Sequence, residues 1–255
     1  MIEDKDKEFY YKNGYLICNV SQDGLIDLVN QDIDKLLSLD DIKTNSKIYS
    51  YNDSPRIVES WTKSENCKNL SLSKIVIDLL RDLYDSNPQA FSTINFLHST
   101  EQPLHSDYTH FGTLPEGRLA ASWIALEDVS PMAGPLQVVP GSHKLNYFDF
   151  EQISATPPKS LSQIKQNYTL YEEWVKRTIK QEKLHSIVLD DLKKGDCVIW
   201  HANLLRGSPE CQDNSITRKS QVTHWTFEDV ERHYNPVFSQ RKKEKFVERE
   251  VTIID

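Results

Sequence analysis

At Pro88 the periodicity of the chain changes, and this change restricts the fold more than any other feature of the sequence. Upstream, apolar residues recur three and four apart. Leu25, Leu28, Val29, Ile33, Leu36 and Leu37 follow a start signal at Ser21 and Asp23, and Ile75, Val76, Leu79, Leu80 and Leu83 form a second helical set bounded by Pro88. Downstream, short runs alternate in the manner of strands, over 91–98, 119–126, 136–139, 186–189, 196–200 and 220–227. Turn signals separate them: Pro115-Glu-Gly117, Ala133-Gly134-Pro135, Pro140-Gly141 and Lys194-Gly195-Asp196. Nearer the start, Asn13-Gly14 reads as a turn leading into a strand-like run from Tyr15 to Val20. From Ile42 to about Asn69 the pattern dissolves, which suits a lid or a plain surface excursion.

Helices followed by short strands with Gly/Pro turns predict a mainly β protein with helices (α+β), its strands closed into a sandwich or barrel and its helices on one side. A jelly roll, or double-stranded β-helix, is the closed-sheet solution that brings a strand near position 105 against one near 206. One domain is expected over 1–255: a mainly helical part over 1–88, a jelly-roll core over 89–227 with a helical insert over 152–183, and a charged tail over 228–255 forming a solvated face. Hydrophobic residues at 38% and charged residues at 27% fit a globular chain, and a net charge of −8 argues against nucleic acid or an anionic membrane as the main partner. No apolar run is long enough to cross a bilayer, and the opening Met-Ile-Glu-Asp-Lys-Asp-Lys lacks the order of a signal peptide, so the expected home is cytoplasmic. Four scattered cysteines without a Cys-x-x-Cys pair suggest neither a zinc knuckle nor a disulfide framework. Nothing in the chain specifies an oligomeric state.

Chemistry concentrates in Gln102-Pro-Leu-His105-Ser-Asp107. On extended backbone, residues two apart share a face, so His105 and Asp107 present an imidazole and a carboxylate side by side. That pair is two-thirds of the facial triad by which non-heme iron(II) oxygenases hold their metal. The third ligand should come from a distant strand, and Trp200-His-Ala-Asn-Leu-Leu-Arg206-Gly-Ser208 is the stretch expected to supply it.

Four blocks in order, His105 to Phe111, Ser122 to Asp128, Gly134 to Lys144, and Gly195 through His201 and Ser208 to Ser220, resemble the phytanoyl-CoA dioxygenase family of iron(II)/2-oxoglutarate oxygenases, over roughly Tyr10 to Phe227. The resemblance implies iron(II) held by His105 and Asp107, 2-oxoglutarate as cosubstrate, and a small-molecule substrate. It also implies that Arg218, twelve residues past position 206, grips the far carboxylate of 2-oxoglutarate with its planar fork. Trp123 matches a family tryptophan near the cosubstrate, although a plain core role suits it almost as well. Gln102 could hydrogen-bond the cosubstrate or simply face water. Tyr108, His110, Arg118 and His143 are candidate pocket residues, each equally suited to an ordinary loop or surface, with a structural role favoured for His143. His224 reads as a satisfied core histidine.

Where the family places its third ligand, a histidine, this chain has Arg206, which offers no lone pair. Three readings stay open. In the first, metal is held by His105, Asp107 and the chelating cosubstrate alone; in the second, His201 substitutes, although its odd offset from 206 turns it to the other face of a regular strand; in the third, Arg206 replaces the metal as the counter-charge of Asp107. The first two describe an oxygenase hydroxylating a small organic molecule at a non-standard metal site. The third describes a metal-free pseudo-oxygenase that binds a small molecule or a protein.

Overall fold

The computed structural model describes residues 2–21, 24–38, 48–51 and 54–255. Its helices are α1 (Asp4–Asn13), α2 (Leu25–Ser38), α3 (Glu65–Ser71), α4 (Lys74–Tyr84) and α5 (Leu161–Gln181). The strands run in chain order as β1 (Tyr15–Asn19), β2 (Ile48–Tyr51), β3 (Ser54–Val58), β4 (Pro88–Phe96), β5 (Gly112–Leu114) and β6 (Ala120–Ala125), then β7 (Leu136–Val138), β8 (Ile187–Leu189), β9 (Asp196–His201), β10 (Arg206–Gly207), β11 (Ser220–Phe227) and β12 (Arg232–Tyr234). The large sheet has the order β1-β9-β6-β11-β4-β3-β2, the smaller one β10-β7-β8, and β12 pairs with β5. Every pairing is antiparallel, and this is the jelly roll that the strand spacing predicts.

Strand parity divides the large sheet into two chemical faces. Ala120 and Ile124 of β6, Cys197 and Ile199 of β9, and Trp225 and Phe227 of β11 pack outward against Val29 and Ile33 of α2, Leu70 of α3 and Leu80 of α4. Trp123 of β6, Val198 and Trp200 of β9 and Val222 of β11 share the inner cluster with Leu136 and Val138 of the small sheet. With both faces covered, the central strands β6 and β11 are buried along their whole length. None of the described helices is long and apolar enough to cross a membrane.

Four local expectations change. The turn at Asn13-Gly14 does lead into a strand, β1, but it also closes a helix, α1: Gly14 takes φ +84° and its N–H donates to the Tyr10 carbonyl at 2.7 Å. The helix leaves no apolar stripe in the sequence because Tyr10 is its one buried side chain among the described residues. Within 42–69, the described residues form β2, β3 and α3, while 42–47, 52 and 53 lie outside them. Helix α5 begins at Leu161, well ahead of its apolar positions, capped by Ser160, whose hydroxyl accepts from the Gln163 N–H. The tail is more than a solvated face, for β12 pairs with β5 and Tyr234, Val237 and Ile254 are buried.

A Cβ on Gly14 would sit 2.3 Å from Nδ1 of His143, at a backbone conformation that side chains resist. Gly14→Ala should therefore lower unfolding free energy by about 2 kcal/mol in urea titration. A change under about 0.5 kcal/mol would mean that α1 does not dock as described.

Candidate metal and cosubstrate site

The site begins with a backbone pairing. His105 and Arg206 form an antiparallel bridge, exchanging both hydrogen bonds, N–H to carbonyl in each direction, at 2.9 Å. Residues paired in this way sit directly opposite, with side chains on the same face, so whatever occupies position 206 stands beside His105. The ladder continues where Ser208 N–H donates to the Gln102 carbonyl at 3.0 Å. Gly207 allows the approach, since a Cβ there would lie 2.5 Å from that carbonyl oxygen. Arg206 also pairs with Val138 of β7, which ties position 105 to the small sheet.

Asp107 opens a single 3-10 turn and is 3% exposed. One carboxylate oxygen accepts from the Trp200 indole N–H at 2.7 Å, and the other accepts from the Arg206 guanidinium in a buried salt bridge. Arg206 in turn stacks over the Trp200 ring, its guanidinium carbon 4.9 Å from the centroid. The Nδ1 of His105 lies 2.7 Å from the Pro103 carbonyl, which can only accept, so Nδ1 carries the proton and Nε2 keeps its lone pair. Tyr171 of α5 accepts from the Ser106 N–H at 2.9 Å, fastening the loop between the two. Arg218 donates to the Gly134 carbonyl at 2.7 Å and the Ser208 hydroxyl at 3.0 Å, and stands 5.8 Å from the Trp123 ring centroid.

Electrostatics follow from burial. Desolvation pushes the Asp107 carboxyl up, but the guanidinium of Arg206 outweighs it with help from its other neighbours, and the group ends well below the ordinary carboxylate range. Desolvation, then the charge of Arg206, lowers His105 to about 3. His110 and His224 fall to about 4, burial again being the main cause. Burial and the nearby Arg206 bring Arg218 down to about 10, still cationic at neutral pH.

A cavity of about 370 Å³ opens over His105, walled by Gln102, His110 and, from α5, Ile164, Tyr168 and Tyr171. The Tyr168 hydroxyl pairs with Nδ1 of His110 at 2.8 Å, and their rings stack.

The fold thus brings His105, Asp107, Arg206, Arg218, Trp123, Gln102 and His110 to one region and leaves other candidates outside it. His201 faces away, with Trp200 turned inward; it stacks on Tyr84 and its Nδ1 accepts from the Asn203 N–H at 3.1 Å. That placement takes it out of the ligand set. Arg118 donates to the Tyr84 carbonyl and pairs with Asp229 at 2.8 Å. The Tyr108 hydroxyl donates to the Glu116 carboxylate at 3.2 Å and pairs with the Tyr234 hydroxyl, and His143 donates from Nε2 to the Tyr11 carbonyl at 3.2 Å. None of these four lines the cavity.

Sequence reasoning missed Trp200 as the donor to Asp107, and the α5 tyrosines. It also misjudged His224: the ring is buried, but Nδ1 has no hydrogen-bond partner and the residue feels both Asp107 and Arg206. Its shared parity with Val222 on β11 is the signal that turns it toward the inner face. Among the described residues, no group of three or more His, Cys, Asp or Glu is placed to hold a metal ion.

The phytanoyl-CoA dioxygenase (PhyH) family model matches residues 10–220. A probable phytanoyl-CoA dioxygenase of Caenorhabditis elegans is 24% identical over 261 residues, covering 91% of this chain and 77% of the worm protein. Solved structures share the fold, among them two bound to iron. EctD from S. alaskensis with bound Fe superposes with a TM-score of 0.69 at 18% identity, over 89% of this chain and 77% of its own. The epimerase SnoN from nogalamycin biosynthesis, in complex with Fe3+, alpha ketoglutarate and nogalamycin RO, superposes with 0.67 at 16% identity, over 99% and 98%.

Three neutral buried histidines make stability depend on pH. Burial lowers His105, His110 and His224 to about 3, 4 and 4, all below the ordinary histidine value of 6.5, so the unfolded chain binds more protons in the interval between. Stability is therefore complete above pH 6.5 and falls as pH drops, by up to about 4 kcal/mol per pH unit for three protons. Urea midpoints between pH 7 and 5 should show this slope, and His224→Asn should flatten it by about one proton. Equal slopes in the two proteins would remove His224 from the set.

Proposed function

The chain belongs to the phytanoyl-CoA dioxygenase family, the members of which are 2-oxoglutarate-dependent non-heme iron oxygenases, and from that premise we propose that it acts on a small organic molecule at a metal site of non-standard composition. The observation that carries this reading is that His105, which lines a cavity walled in part by α5, stands beside the buried Asp107–Arg206 pair, whose guanidinium in turn acts on Arg218. Iron(II) and 2-oxoglutarate are the family's cofactors, and together they supply the oxidant that hydroxylates a carbon–hydrogen bond.

The residues present do not make the family's three-ligand set. His105 fits, with Nε2 free. Asp107 has both oxygens engaged, by Trp200 and Arg206, and Arg206 itself has no electron pair to give. A metal here competes with a guanidinium for the same carboxylate.

What this chain's own side chains do can still be stated. Arg218, held by Gly134 and Ser208 and backed by Trp123, presents a fixed charge suited to a carboxylate. Neutral His105 and His110 leave the cavity wall uncharged on that side, and the Tyr168–His110 pair supplies a polar edge that can orient a hydroxyl or carbonyl of the substrate. Helix α5 supplies one wall of the cavity, and the volume suits a compact substrate.

Competition for Asp107 is directly measurable. Anaerobic titration with iron(II) and 2-oxoglutarate should give at most a weak visible charge-transfer band in the native protein, with at least a tenfold tighter metal affinity and more succinate formed in air for Arg206→His. Native protein that retains one iron per chain through dialysis would show that Arg206 does not compete effectively with the metal for Asp107. Failure of the histidine variant to gain affinity would mean that position 206 does not face His105.

A further inference from the structure

Two guanidiniums stand over two indoles on one sheet face. Arg206 lies over Trp200 of β9 and Arg218 over Trp123 of β6. In the antiparallel register Trp200 pairs with Ala121 and Trp123 with Val198, so the indoles are diagonal neighbours, roughly 7–8 Å apart by ordinary sheet geometry. Each guanidinium keeps a buried Nε–H without a partner, and on the same face of β11 the Ser220 hydroxyl and the Nδ1 of His224 are also buried and unsatisfied. Against these two fixed cations the site sets one carboxylate, Asp107, already shared between Trp200 and Arg206. A buried cluster with excess positive charge and unused donors is costly to leave without an anion.

We propose that Arg206 takes over the metal's place as the second positive charge of the site, and that Arg206 and Arg218 together form a metal-independent clamp for a short-chain dicarboxylate. One carboxylate lies on the Nε edge of Arg218, the other accepts from Nε of Arg206, and the carbon chain passes over the inner face between them. Ser220 and His224 border that path. Guanidiniums remain charged at any relevant pH, so the clamp depends on no titration. The inference shares with the proposed function only the nearness of these residues to one another on the inner face, and it does not require turnover.

Calorimetric titration of the full chain with 2-oxoglutarate and with succinate, in excess EDTA and again with iron(II), tests this. The expected result is binding unchanged by EDTA, at least tenfold weaker in Arg206→Gln, and at least tenfold weaker for the monocarboxylate butyrate. Arg206→His should bind 2-oxoglutarate only when iron(II) is supplied. Circular dichroism of the variants confirms folding, and intact binding by a folded Arg206→Gln overturns the clamp. Binding that appears only with iron(II) in the native protein also overturns it, while leaving the oxygenase reading standing. No binding of either acid under either condition removes both.

Discussion

The pairing of His105 with Arg206 is the constraint on which the site depends. Two reciprocal hydrogen bonds fix the register between a loop and a two-residue strand, and that register sends the side chain at 206 into the space beside His105 and Asp107. A carboxylate at 3% exposure must have a counter-charge, because the cost of an unpaired buried ion is several kcal/mol. A metal ion meets that need elsewhere in the family. Here the need is met from within the chain by a tethered cation whose position is set by the ladder itself.

Much of the remaining architecture keeps this ladder in place. Gly207 lets the strands approach where any side chain would strike the Gln102 carbonyl. Tyr171 reaches from α5 to the Ser106 N–H, so the inserted helix is anchored to the loop that carries both site residues. Trp200 acts twice, as donor to Asp107 and as the surface beneath Arg206. Its inward orientation exists because Cys197 and Ile199 of the same strand face the helices. Covering the outer face with α2, α3 and α4 thus frees the inner one for charged groups.

Those parts of the fold that rest on strong periodicity were legible in the sequence. β11 begins and ends where alternation places it, at Ser220 and Phe227, and α2 and α4 follow their apolar stripes. The adjacency of His105, Asp107 and position 206 could be read from spacing and family resemblance together, and the odd offset of His201 correctly turned it outward. Elements stabilised mainly by tertiary contact were not legible. Helix α1 buries one tyrosine among its described residues, and the tail hides isolated apolar residues among charges. His224 was misread because a histidine between Thr223 and Trp225 looks the same whether its ring is satisfied or not; the missing partner is a property of the assembled inner face.

Replacing a divalent ion by a guanidinium changes what the site can do as well as its charge. Iron(II) offers vacant coordination positions, whereas Arg206 offers N–H donors in a plane and can bind only acceptors. Hydrogen bonding and charge directed at a carboxylate are therefore compatible with an arginine at this position. Metal coordination is in direct conflict with it, because the same Asp107 oxygen cannot serve both partners. Burial sharpens the conflict, for the low-dielectric setting that strengthens the Asp107–Arg206 attraction also strengthens the repulsion between Arg206 and any cation brought beside it. A single side chain at position 206 thus sets a salt bridge against metal coordination at the same carboxylate.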